Sequence, residues 1–300
     1  MIISASRRTD IPAFYAEWFM ARLQAGYCTL VNPFNARQVT RVALCPEDVE
    51  AIVFWTRNPL PLLPYLPEID AREYRYYFQF TLTGYPRIFE GNTPEMHEAV
   101  ATFRRLAEKI GPARVIWRYD PIVLTNVTPP AYHLEQFARL ADELHGATRR
   151  VVISLMDDYR HSGERLARLS EHGITPEALP PDSEAFGDLM RGLSRCAQAH
   201  GLEIMSCAEP IDLQPFGIAP GKCIDDAYIR RVLGVDVMWA KDKYQRPLCG
   251  CVASKDIGMY DSCPHACVYC YATRSAALVE KNRTTHRSDS PSLLGWHECD

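Results

Sequence analysis

Eleven cysteines are spread over 300 residues, and eight of them fall in the last third of the chain. Cys263, Cys267 and Cys270 stand at C-x3-C-x2-C spacing, with Tyr269 and Tyr271 flanking the last. Three thiolates this close can converge on one centre, and cysteine is the usual ligand of iron–sulfur clusters and of structural zinc. Structural zinc takes four protein ligands, commonly as two paired hooks, whereas three cysteines leave a position open, as a reactive centre needs. The spacing favours a cluster with one reactive iron over a structural zinc, a purely structural cluster or unligated thiols.

Four further cysteines, Cys207, Cys223, Cys249 and Cys251, lie at or near ends of predicted strands or in segments feeding the same region, and four thiols suffice for a second site. Cys249-Gly-Cys251 is tighter than an ordinary zinc hook, which tilts that site towards iron–sulfur. Zinc and plain buried thiols remain the alternatives, because free cysteine is among the most buried residue types. Cys28, Cys45 and Cys196 read as core residues, and Cys299 sits in a polar tail.

The loop Cys-Pro-His-Ala-Cys-Val-Tyr-Cys-Tyr-Ala (263 to 272) resembles the cluster loop of radical SAM (S-adenosylmethionine) enzymes and is closest in wording to the spore photoproduct lyase branch. The resemblance implies that Cys263, Cys267 and Cys270 hold three irons of a [4Fe–4S] cluster whose fourth iron chelates SAM, with Tyr269 as the aromatic residue before the third cysteine. In that superfamily the loop follows the first strand, whereas here it lies near the C-terminus. The chain in this respect is similar to an uncharacterised prokaryotic family, a domain of unknown function, whose members end in such a cysteine cluster. That likeness runs through Ser-Arg-Arg-Thr-Asp (6 to 10), Trp-Thr-Arg-Asn-Pro (55 to 59), Trp-Arg-Tyr-Asp-Pro (117 to 121), Ser-Cys-Ala-Glu (206 to 209) and Asp-Ile-Gly-Met-Tyr (256 to 260). The Gly-Gly-Glu stretch of many radical SAM enzymes has no counterpart in Ser4 to Arg8.

The elements that must position these groups alternate between strand and helix. Strands are predicted at 2 to 6, 51 to 55, 76 to 83, 114 to 119, 151 to 156, 203 to 207 and 252 to 254, with a hairpin pairing 28 to 34 and 38 to 44. Helices are predicted at 12 to 25, 94 to 110, 131 to 145, 183 to 200, 224 to 233 and 273 to 281. Alternation of this kind means parallel pairing, and six or seven units suggest a single α/β domain folded as a (β/α) barrel, closed or partly open. It would span residues 1 to 282, with the iron–sulfur loop at 261 to 272 and a polar tail at 283 to 300. A barrel circularly permuted relative to radical SAM cores would reconcile the late cysteine loop with the usual early one.

On such a fold the strand ends share one rim, and that rim is polar. Arg8, Asp10, Arg118, Asp120, Glu209 and Lys255 are candidate catalytic residues, and Ser6, Arg57, Gln79 and Tyr269 candidates for holding the cofactor. Arginine, aspartate, glutamine and serine suit the carboxylate, ammonium and hydroxyls of SAM, although each alone could equally cap a helix or pair with a neighbouring charge.

With 47% hydrophobic and 23% charged residues the composition is that of an ordinary globular protein, and a net charge of −4 provides no overall pull towards nucleic acid. The apolar runs are too short for a membrane span, and Pro12, Glu17 and Arg22 interrupt any export signal after Arg7-Arg8, so the expectation is a cytoplasmic protein whose cysteines serve metal chemistry. The expected reaction is radical SAM chemistry on an unknown small-molecule or nucleic-acid substrate, fed by an electron donor such as ferredoxin or flavodoxin. The alternatives are a metal-dependent hydrolase using Asp10, Asp120, Asp157, Glu209 and a histidine around a structural cluster, or a non-catalytic iron–sulfur or zinc protein.

Overall fold

A computed structural model describes the whole chain except Phe34, Asp158, Tyr159, Met238, Trp239 and Asp300. Phe34, at the end of one predicted hairpin strand, and Asp300, in the predicted tail, therefore lie outside the described residues.

The elements run β1 (Ile2–Ala5), α1 (Ile11–Phe14), α2 (Ala16–Ala25), β2 (Tyr27–Asn32), β3 (Asn35–Ala43), β4 (Ala51–Thr56), α3 (Leu66–Ala71), β5 (Tyr76–Thr81), α4 (Met96–Ile110), β6 (Val115–Ile122) and α5 (Pro130–Glu143). They continue with β7 (Arg150–Leu155), α6 (Arg160–Ala167), α7 (Glu184–Ala199), β8 (Glu203–Cys207), β9 (Ala219–Gly221), α8 (Asp226–Leu233), β10 (Lys255–Asp256) and α9 (Ala276–Arg283). The long helices form where apolar residues recur at helical spacing and the ends are marked. In α4, Val100, Phe103, Ala107 and Ile110 are buried, Glu95 and Glu98 form a capping box, and Gly111 at φ 91° ends the helix before Pro112. In α7 the Ser183 hydroxyl accepts from the Phe186 N–H at 3.2 Å, and Phe186, Leu189, Met190 and Leu193 are buried.

Eight strands form one sheet in the order β10-β1-β4-β5-β6-β7-β8-β9, parallel at every pairing, and β2 and β3 make a separate antiparallel pair. Side chains alternate between two buried faces. Ile52, Phe54, Phe78, Trp117 and Ile153 join the core under the helices, with Phe19 of α2, Phe103 of α4, Phe137 of α5 and Leu193 of α7. Ile2, Val53, Tyr77, Ile116 and Val152 face the other way and pack on Tyr228 and Ile229 of α8 and on Cys223, Cys249, Cys251 and Val252.

This arrangement corrects the (β/α) barrel expected from the sequence, closed or partly open. The fold is mixed α/β with an open parallel sheet, and among the described residues its edge strands β10 and β9 do not pair with each other. The reason lies between residues 218 and 254. After β8 the chain supplies only a three-residue and a two-residue strand, and it uses most of the intervening length to cover the second face. In a closed barrel, side chains of facing strands would fill that space. Without a ring of strands the circular permutation loses its basis, although β10 does lie parallel beside β1, with Ile3 opposite Lys255 and Ser4 opposite Asp256.

Of residues 283 to 300, read from sequence as a polar tail, the stretch 289 to 297 folds back over α2 and β2. Leu293 and Leu294 are buried, Trp18 Nε1 donates to the Ser290 carbonyl at 2.9 Å, and the Thr29 N–H donates to the Pro291 carbonyl at 2.9 Å. Among the described residues no helix is long and apolar enough to cross a membrane.

Candidate functional site

Because the strands are parallel, their C-terminal ends share one edge of the sheet, and that edge is where open α/β sheets take their ligands. A cavity of about 450 Å³ opens there. It is walled by residues from the ends of β1, β4, β6, β7 and β8, among them Ser6, Arg8, Asp10, Arg57, Arg118, Asp120 and Ser154. Seven cysteines line it: Cys263, Cys267 and Cys270 from the loop, and Cys207, Cys223, Cys249 and Cys251 from the segments on the second face of the sheet. Of the remaining cysteines, Cys28 is buried in the core, Cys45 and Cys196 are partly buried and Cys299 is exposed.

The loop is fixed at several points by residues distant in sequence. His265 is buried, with Nε2 2.8 Å from Asp10 Oδ2 and its ring edge-on to Phe14. Asp10 also accepts the Ala13 N–H at 3.0 Å, capping α1, and the Arg57 N–H at 2.7 Å, so this carboxylate is occupied by holding the strand-end loops together. Arg57 donates to Glu90 Oε1 at 2.8 Å and to the Tyr269 hydroxyl, and that hydroxyl donates in turn to Glu90. Thr83 completes the set with a 2.6 Å bond to the same carboxylate. Tyr269, the aromatic residue before the third cysteine, is thereby pinned in place. Arg165 of α6 donates to the carbonyls of Val268 at 2.9 Å, Thr273 at 2.5 Å and Cys270, closing the loop from the other side.

Burial acts strongly on two of the loop thiols. It pushes the Cys267 thiol up to about 12, with Arg57 pulling the other way, and it raises Cys263 together with the nearby Asp10 and Cys270. Thiols so placed stay protonated at neutral pH without a cation beside them, and a bound metal reverses that by taking the place of the proton.

At the end of β1 the organiser is Asp256. Its carboxylate accepts from Ser4 Oγ at 2.9 Å, Ser6 Oγ at 2.6 Å, the Arg7 N–H at 2.8 Å and the Arg8 guanidinium at 3.0 Å. A Cβ added at Gly258 would lie 2.0 Å from Ser6 Oγ, so only glycine permits this approach of the strand-β10 turn to the strand-β1 end. Arg118 reaches from β6 to Asp120 and, at 2.9 Å, to Cys223 Sγ, while Asp120 also accepts from Ser154 Oγ.

The four remaining cysteines share one wall of the cavity. Cys207 Sγ is 2.9 Å from Cys223 Sγ, and Cys251 Sγ accepts the Ile224 N–H at 3.4 Å. The neighbouring Cys223 and Cys249, with help from Arg7, hold the Cys251 thiol well below the usual range. Among the described residues, no three His, Cys, Asp or Glu side chains converge closely enough to hold a single metal ion.

Three of the residues singled out from sequence do not line the cavity. Lys255 is exposed on β10, Gln79 is buried beneath the cysteines with Nε2 donating to the Cys223 carbonyl at 2.8 Å, and Glu209 accepts the Leu155 N–H at 2.8 Å. Burial pushes the Glu209 carboxyl up to about 7. Sequence reasoning in turn did not single out Glu90 or Arg165. Neither carries a local signal, since Glu90 sits in irregular chain after β5 and Arg165 is one of several charges on a polar helix.

A search of curated proteins finds no match to this chain. Residues 2–272, which take in every strand and both cysteine sets, match the model of a family described as "Domain of unknown function (DUF1848)".

Proposed function

The chain belongs to the DUF1848 family, whose description assigns no reaction, and from that premise we propose that it is a radical SAM-type enzyme acting at the seven-cysteine cavity. The observation that carries this reading is the opening of Cys263, Cys267 and Cys270 onto the same cavity as polar strand-end residues. The donor set fits a cluster. All three ligands are thiols, which suits iron–sulfur chemistry, and a cluster binds each cysteine to a different iron, so it does not ask three sulfurs to converge on one ion. Cys263, Cys267 and Cys270 would hold a [4Fe–4S] cluster, and that group, given an electron by an external donor of the ferredoxin or flavodoxin type, would supply the chemistry for reductive cleavage of SAM to methionine and a 5′-deoxyadenosyl radical.

The protein's own groups have separable tasks. Arg165, His265 and the Arg57–Glu90–Tyr269 set hold the loop in shape before any ligand arrives. Arg8, held by Asp256, provides a cation at the cavity wall, and Asp120 and Ser154 provide polar groups for hydroxyls or an ammonium. The hydrolase alternative draws less support, because Asp10 is occupied by the Ala13 and Arg57 N–H groups and by His265, and Asp157 pairs with Arg246.

Protein purified and reconstituted without oxygen should contain iron and sulfide and, after reduction with dithionite, convert SAM to 5′-deoxyadenosine. Cys267→Ala should reduce that product at least a hundredfold. Wild-type yields from Cys267→Ala, or a wild-type protein that takes up iron but leaves SAM intact, would overturn the assignment.

A further inference from the structure

The loop accounts for three of the seven cysteines at the cavity, and the other four come from three separate stretches of chain. Cys207 ends β8, Cys223 precedes α8, and Cys249 and Cys251 lie in the segment leading to β10. All four are free thiols. The 2.9 Å between Cys207 and Cys223 is too long for a disulfide, whose sulfurs lie about 2.0 Å apart. It is also closer than two unlinked sulfurs rest by preference.

Core cysteines behave as small hydrophobes and need no cations around them. Two arginines share the wall with these four. Arg118 points Nη1 at Cys223 Sγ from 2.9 Å, and Arg7 Nη2 is buried with no hydrogen-bond partner among the described residues. The cavity wall that these thiols share also holds Arg7 and Arg118, with Arg118 bonded to Asp120. A buried guanidinium nitrogen without a partner is costly, and an anionic group at the thiols would give it one. Metal-bound thiolates are such a group.

We propose that Cys207, Cys223, Cys249 and Cys251 hold a second metal centre, an iron–sulfur cluster facing the loop centre across the same cavity. A cluster is favoured over a single ion because all four line the one cavity while no three of them gather around one point. A polynuclear centre gives each cysteine its own iron. With four protein ligands it has no open iron for SAM, so its place is to pass electrons or to form one wall of the substrate site. The proposal stands apart from the SAM reading, because it uses none of the same ligands.

Two variants, each reconstituted with ferrous iron and sulfide without oxygen, test both. The triple variant Cys263→Ala/Cys267→Ala/Cys270→Ala should retain about half of the wild-type iron and sulfide, about four irons in place of about eight, with a cluster absorption spectrum. The double variant Cys223→Ala/Cys251→Ala should lose the complementary half. Circular dichroism establishes that each is folded, and if one is not, the iron content of the other decides. A folded triple variant without iron, or one that holds only zinc, overturns the second cluster, as does a double variant with the full wild-type iron content. If instead the triple variant binds as much iron as wild type, the loop centre fails and the second cluster stands.

Discussion

The residues that hold the cysteine loop are more tightly specified than those offered to a ligand. Arg57, Glu90 and Tyr269 form a buried set in which each member satisfies the others, with side-chain exposures of 13% for Arg57 and 7% for Glu90. Removing one charge from such a pair leaves the other uncompensated, which costs more than the loss of a neutral hydrogen bond. Glu90→Ala should therefore destabilise the protein by about 3–5 kcal/mol, whereas Tyr269→Phe, which keeps the ion pair, should cost about 1 kcal/mol. Urea unfolding of the two variants measures the difference, and equal costs would mean that the pair is not the anchor. His265 belongs with this set. Its position between two cysteines suggests little from sequence, because it is not at a ligand spacing, but the structure gives it a buried bond to Asp10 at 2.8 Å.

At the scale of elements, the joint between β6 and α5 contains a titratable group that should be visible in the stability of the whole. His133 of α5 is fully buried, with Nδ1 2.9 Å from the Tyr119 hydroxyl and Nε2 3.1 Å from the Val123 carbonyl. The carbonyl can only accept, so Nε2 carries the proton and Nδ1 accepts from Tyr119. Burial lowers His133 from 6.5 to about 4. The unfolded chain thus binds a proton below about 6.5 that the folded chain refuses until about 4, and stability falls as the pH drops through that window, by roughly 3 kcal/mol in all. His133→Gln should flatten this dependence. Urea midpoints at pH 7, 5.5 and 4 would show it, and an unchanged slope in the variant would assign the acid sensitivity elsewhere. The elements themselves were largely legible. Strands predicted at 51 to 55, 151 to 156 and 203 to 207 form at Ala51–Thr56, Arg150–Leu155 and Glu203–Cys207, because a buried apolar run bounded by polar residues is a local signal. The helix predicted over 12 to 25 is instead two, broken at Tyr15. Strand β9, Ala-Pro-Gly, had no strand signal at all, and proline is tolerated there because β9 is an edge.

Across the whole molecule, the two ends of the chain meet at its sides: β10 and the cysteine loop lie against β1, and residues 290 to 297 lie against α2 and β2. Leu293 is 1% exposed in the main core. Leu293→Ala should cost about 2–5 kcal/mol, read as a lowered thermal midpoint, and a change within error would mean that the terminal segment docks without contributing to the core. By itself the sequence determined most of the succession of strands and helices, the parallel pairing that alternation requires, and a loop of three closely spaced cysteines. These follow from period, spacing and side-chain chemistry, all of which act over a few residues. Only the tertiary structure decided that the sheet stays open, since a parallel strand buried on both faces reads as the same apolar run whether its sheet closes or not. It also decided that Arg57 meets Glu90 across 33 residues and Tyr269 across 212, that Arg165 clamps the loop, and that four scattered cysteines line one cavity. Those contacts depend on where the sheet brings distant segments together, and no local stretch of the sequence records it.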